Sequence, residues 1–121
     1  MKIIDVHNEL LALNLIAGTY TADASGAGAD LQGYQGVLKI ILDSGAGVGT
    51  LDVKIQDSAD NSSFTDVVGK TFAQVTTIAS LQSLGIDTRA VRRYIRAVLT
   101  IGGSTPTFGL AVVAVGQKQI M

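Results

Sequence analysis

Residues 49–67, GTLDVKIQDSADNSSFTDV, leave a chain of this kind few options. Leu51, Val53 and Ile55 alternate with Asp52, Lys54 and Gln56, the two-residue period of a strand with one buried and one wet face. Residues 57–63, DSADNSS, follow; they are short, almost all polar, and carry side chains that bond nearby backbone and favour turns. Phe64 and Val67 restore apolar character on the far side. The stretch predicts a strand, a long polar turn and a returning strand. It holds no nucleophile–base pair and no metal-ligand spacing, so it specifies a fold rather than a chemistry.

The same period recurs on either side. In residues 37–43, Leu38, Ile40 and Leu42 share one face, with Lys39 and Ile41 on the other. In residues 90–101, Ile95, Ala97, Leu99 and Ile101 face the core, while Arg92, Tyr94, Arg96, Val98 and Thr100 share the opposite face. Residues 107–115 predict a final strand that is apolar on both faces. Residues 44–49, SGAGVG, predict the closure of a central hairpin, and residues 102–106, GGSTP, a turn. Two shorter extended pieces are expected at 70–75 and 76–84, the second broken by Gly85. No long segment shows the 3.6-residue period of a helix. Fourteen glycines against one proline fit many tight turns. The prediction is an all-β fold, an antiparallel β-sandwich of jelly-roll type with no substantial interior helix. A chain of 121 residues is large enough for one core without staples.

A division falls near residue 30, with an N-terminal arm or strand and a flexible loop at 1–29 and the sandwich body at 30–121. Residues 1–13 read as a short amphipathic helix, an edge strand, or an arm lying on a neighbour. As an arm, they would supply apolar contact through Ile3, Ile4, Val6, Leu10 and Leu11. Residues 21–30, TADASGAGAD, are small and glycine-rich and predict a loop. Asp5, His7, Asn8 and Glu9 interrupt any signal-peptide core, and no apolar run approaches a membrane span. The chain is therefore expected to be made, and to assemble, in the cytoplasm, with no membrane partner.

Charge is unevenly spread. Residues 1–66 hold three basic and nine acidic side chains, residues 67–121 six basic and only Asp87. Such halves either cancel within one sandwich or meet between subunits with complementary potential. On one strand, Arg92 and Arg96 lie about 13 Å apart with Tyr94 between them. They read as a solvated face bridged to the acidic turn, or as a protein contact, for which Arg and Tyr are suited. The overall balance is acidic, a poor match for a phosphate track, so no nucleic-acid partner is expected.

Other chemistries find little support. There is no cysteine, which excludes disulfides and thiolate metal sites. Asp57, Asp60 and Asn61 lack the alternating oxygen ligands and terminal glutamate of a calcium loop. His7 is the only histidine and has no convergent partners in the sequence. SGAG at residues 25–28 is followed by no Lys-Ser/Thr and opens no helix, so it makes no phosphate cradle. Six aromatic residues and no tryptophan make a poor platform for sugars. Neither a catalytic residue, a cofactor nor a metal is expected.

The runs LDVKIQDSADNSSFTDV, from Leu51, and RRYIRAVLTIGGSTPTFGLAVVAVG, from Arg92, together resemble a family of small tailed-phage head structural proteins. Members of that family carry a similar strand, a QDSxDxSxFTDV turn, an RYxRAVxT strand and a glycine-bounded final strand. DLQGYQGVLKIIL, from Asp30, fits the same pattern, so the resemblance spans roughly residues 30–116. It implies a decoration or cement protein on the exterior of an icosahedral capsid, made in the host cytoplasm, with the major capsid protein as partner. It implies no active site. Apolar residues on both faces of the final strand further predict self-association, a homotrimer ahead of a dimer because capsid lattices offer three-fold axes. A carbohydrate- or receptor-binding module, or a tail or connector component of the virion, is the alternative.

Overall fold

In the computed structural model, which describes residues 10–118, eight strands follow one another: β1 Leu10–Tyr20, β2 Ala24–Ser25, β3 Ala29–Asp30, β4 Tyr34–Ser44, β5 Val48–Ser58, β6 Thr65–Thr71, β7 Ser80–Asp87 and β8 Tyr94–Lys118. All pairings are antiparallel, and the described residues contain no helix. The all-β, sandwich-like architecture is the one the alternating pattern predicts.

The 25-residue β8 belongs to both layers. Its first half pairs with β5 on one side (Leu51↔Ile101, Ile55↔Ala97) and with the short β2 and β3 on the other. Its second half pairs with β1 and with β4 (Ala12↔Val115, Ile41↔Val113). One sheet therefore runs β1–β8–β4–β7; the other places β8 between β2/β3 and β5–β6. Where β6 ends, residues 72–75 bond to β5 and then cross to β7. There Gln82 Oε1 accepts from the Ala73 amide, and its Nε2 donates back to the Ala73 carbonyl. That clasp draws the open edges of the two sheets together, so the sandwich is nearly closed into a barrel.

Several local predictions are corrected. Gly85 does not break its strand, since β7 runs through it to Asp87 along β4. Residues 102–106 do not reverse the chain. They bend β8 from one sheet into the other, through Gly103 at φ 116° and Thr105 at φ 50°. Equally, β4 and β5 do not form a hairpin with each other; each pairs with a different half of β8, and residues 45–47 cross between the layers beside the bend. The expected hairpin at the polar turn does form: β5 and β6 pair through Asp57↔Thr65 and Gln56↔Asp66.

Alternation then places the core. Leu38, Ile40 and Leu42 of β4, Leu51, Val53 and Ile55 of β5, and Ile95, Ala97 and Leu99 of β8 are all buried. Phe108, Leu110, Val112 and Ala114 continue the same face of β8 past the bend. Each large side chain buried there contributes about 1.5–3 kcal/mol before ordering costs. Ile101, expected in the core, is only half-buried at the approach to the bend, where it packs on the rim.

The N-terminal third is tied in more extensively than its composition suggests. Leu10–Tyr20 is a complete strand along β8, with a bulge at Leu15 that turns both Leu15 and Ile16 inward. The glycine-rich loop is pinned at Ala24–Ser25 and Ala29–Asp30, and the Gly26 amide donates to the Ala97 carbonyl. Ile3, Ile4 and Val6 lie outside the described residues.

Candidate functional site

The one charge-rich construction in the described residues stands at the end of the second sheet where β8 begins. Arg92 precedes the strand and reaches back to the polar turn. Its Nη2 donates to the Asp57 carbonyl at 2.9 Å, to Asp57 Oδ1 at 3.0 Å and to Thr65 Oγ1 at 2.7 Å. Its backbone amide donates to Asp57 Oδ2. Arg93 grips Asp30 with two parallel bonds, Nε to Oδ1 at 2.9 Å and Nη2 to Oδ2 at 2.8 Å, and donates also to Gln32 Oε1. Its guanidinium lies 5.2 Å from the centre of the Tyr94 ring. Arg96, on the outer face with Tyr94, donates twice to Gln56 Oε1 and sits 4.1 Å over the Phe64 ring. Gln56 in turn donates to Asp66, which also accepts from Lys54.

Strand alternation explains part of this placement. Arg96 pairs across the ladder with Gln56, so both point outward, and Phe64 from the end of the polar turn closes over them. The turn itself is ordered by Asp60, whose Oδ1 accepts from the Ser62 and Ser63 amides and from the Ser58 hydroxyl. Those donors hold the Asp60 carboxyl down at about 2. The Arg93 guanidinium, with help from the Gln32 amide, holds Asp30 at about 2. Burial alone would raise Asp57, but hydrogen bonds from Arg92 and Thr65 outweigh it and carry its carboxyl below the ordinary range. Asp66 and Asp87 are also lowered, by Gln56 with Lys54 and by Arg89 respectively.

Beside the arginines opens a cleft of about 490 Å³. Leu31, Tyr34 and Val91 line it with apolar surface, and Arg89, Arg92 and Arg93 line it with charge. Burial pushes the Tyr34 phenol upward.

Of the residues expected to form an interface, Arg92, Tyr94 and Arg96 are brought to this end, though Arg92 turns toward Asp57 while Arg96 and Tyr94 stay on the outer face. Leu10 and Leu11 pair with Gln117 and Gly116 in the other sheet. Arg93 belongs to the arginine cluster that the sequence shows from Arg89 to Arg96, whereas Asp30, Gln56 and Phe64 are members that the sequence did not single out. Arg93 falls on the core-facing parity of the strand; only because β8 starts at Tyr94 is it free to turn outward. Among the described residues no three His, Cys, Asp or Glu side chains converge to hold a metal ion.

These carboxylates make stability sensitive to acid. Their folded pKa values lie below the unfolded value of about 4. Their stabilising effect is therefore complete above the unfolded value and lost as pH falls through the folded ones. The melting temperature is expected to be level from neutral pH to about 5 and to fall steadily between about 4 and 2. D30N and D60N should each reduce that slope. A melting temperature unchanged down to about pH 2.5 would show that these pairs do not distinguish folded from unfolded chain.

No family model matches the chain, and a search of curated proteins finds no similar one.

Proposed function

We propose that this chain is a decoration protein of a tailed-phage head, cementing the outer capsid surface through contacts with the major capsid protein. The virion setting comes from the resemblance over residues 30–116. The contact itself is carried by one observation: three arginines, each already fixed by a carboxylate or amide, stand around an aromatic ridge and an apolar-floored cleft. Side chains held in place before binding lose little entropy on docking. Arg and Tyr are also the residues that most often anchor protein interfaces. Because Arg92 and Arg93 are neutralised by Asp57 and Asp30, the ridge suits a polar protein surface better than a phosphate backbone.

Cryo-microscopy of particles bearing this chain is expected to show it on the outside of the head, with the Arg93–Tyr94 end against the capsid. Co-sedimentation with undecorated heads should be lost in R93E, an exchange at an exposed side chain whose melting curve is expected to show a folded sandwich. Density confined to tail or connector, or R93E sedimenting like the parent protein, would overturn the proposal.

A further inference from the structure

The outer face of the first sheet carries apolar side chains where a solvated sheet would alternate to polar ones. Ile41 and Val113, paired across β4 and β8, stand half-buried at its centre, and Leu81 on β7 is 75 % exposed. Lys39 and Asp43 flank Ile41 on the same strand and the same face. Every other Asp described is hydrogen-bonded or ion-paired. Lys39 and Asp43, in contrast, have no ion pair and no side-chain hydrogen bond among the described residues.

Ladder register makes this face complementary to itself. The level of Lys39 holds Val115 on β8 and Gly85 on β7; the level of Asp43 holds Ala111 and Leu81. A large residue at one level is thus matched by a small one at the other, in both columns, and a cation by an anion. The two levels stand about 7 Å either side of Ile41, two residues along a strand in each direction.

We propose that this face binds a second copy of the chain, about a two-fold axis lying in the interface and crossing β4 and β8 at Ile41 and Val113. The rotation lays each strand antiparallel to its own copy. Lys39 then meets the partner's Asp43, Val115 meets the partner's Ala111, and Leu81 meets the partner's Gly85, each contact occurring twice. Ile41 and Val113 pack on their own copies at the centre. Sheets packed face to face stand about 10 Å apart, a gap the lysine side chain and the carboxylate span together. A hollow of about 350 Å³ lined by Lys39, Ile41, Leu81 and Ser83 lies beside the point where the partner's Leu81 meets Gly85. A self-complementary patch of this kind closes as a dimer, in place of the trimer expected from capsid symmetry. The proposal does not rest on the capsid reading, because the arginine ridge lies on the other sheet.

Analytical ultracentrifugation of the full chain at micromolar concentration tests it. The parent protein is expected to sediment as a dimer. K39D and D43K each place like charges opposite one another twice and should weaken association by about tenfold or more. The double exchange K39D/D43K restores opposite charges with the sign reversed and should recover the dimer. Melting curves on the same samples establish that the single variants are folded, as expected for exposed positions. A monomeric or trimeric parent, or a double variant no better associated than the singles, would overturn the proposal.

Discussion

Replacement of Phe108 by alanine is expected to cost about 3–5 kcal/mol of folding free energy. The ring is 1 % exposed and stands at the first inward position after β8 bends into the first sheet. Its edge lies close to Gly47, where even a Cβ would overlap it, so the crossing between β4 and β5 is moulded around the ring. Backbone on both sides is held by ladder bonds, Tyr20↔Phe108 among them, and has little freedom to collapse into the cavity. A domain of this size has a total stability of about 5–15 kcal/mol, so the loss is a large fraction of it. Urea denaturation monitored by circular dichroism reads the change directly. Phe108→Leu, which keeps most of the volume, should lose much less. A loss below about 1 kcal/mol for the alanine variant would mean that the bend repacks freely.

The second large effect is expected at Gly49. Its φ of 94° lies where a side chain is strained, and an added Cβ would run into the Gly102 carbonyl oxygen and lie 2.9 Å from Pro106 Cβ. The glycine lets β5 approach the bend of β8 closely enough for Thr50↔Gly102 to pair. Strained dihedral and steric overlap together put the cost of Gly49→Ala at about 3 kcal/mol. Gly69 supplies the control: its φ of 77° is also left-handed, but a Cβ there meets nothing. Gly69→Ala should therefore cost only about 1–2 kcal/mol, the dihedral part alone. Equal losses at the two sites would show that the close approach at the bend contributes nothing.

What the sequence disclosed, and what it withheld, follows from the range of each signal. Leu38, Ile40 and Leu42 announce a buried face because alternation is local, and the structure buries all three. The polar turn after Gln56 is equally local, since Asp60 bonds to residues within three positions of itself. GGSTP reads the same whether a strand reverses or merely bends. The choice is made by Val48 and Thr50, which pair with Thr107 and Gly102 on either side of it. The glycine-rich residues 21–30 show no period, and their order comes from β8, some seventy residues later in the chain. In the candidate site, a bridge from Arg92 to the acidic turn was one of the two readings open in the sequence, and the structure supplies it through Asp57. The Arg93–Asp30 pair was not legible, because nothing near either residue names the other.

The position of β8 in the chain governs when this protein can fold. Among the described residues it is the only strand paired with β1, β2 and β3, and it joins β4 to β5; it is also synthesised after every described strand it bonds to. Until it emerges, the described strands of a nascent chain can form the β4–β7 and β5–β6 ribbons, linked through residues 72–75 and the Ala73–Gln82 clasp but without the central strand that covers their apolar faces. Ribosomal synthesis delivers about 5–20 residues per second, so several seconds pass with those apolar faces uncovered. Folding is therefore a late, single event that follows release of β8. Any chain terminated before residue 94 is left without the strand that makes two ribbons into one sandwich.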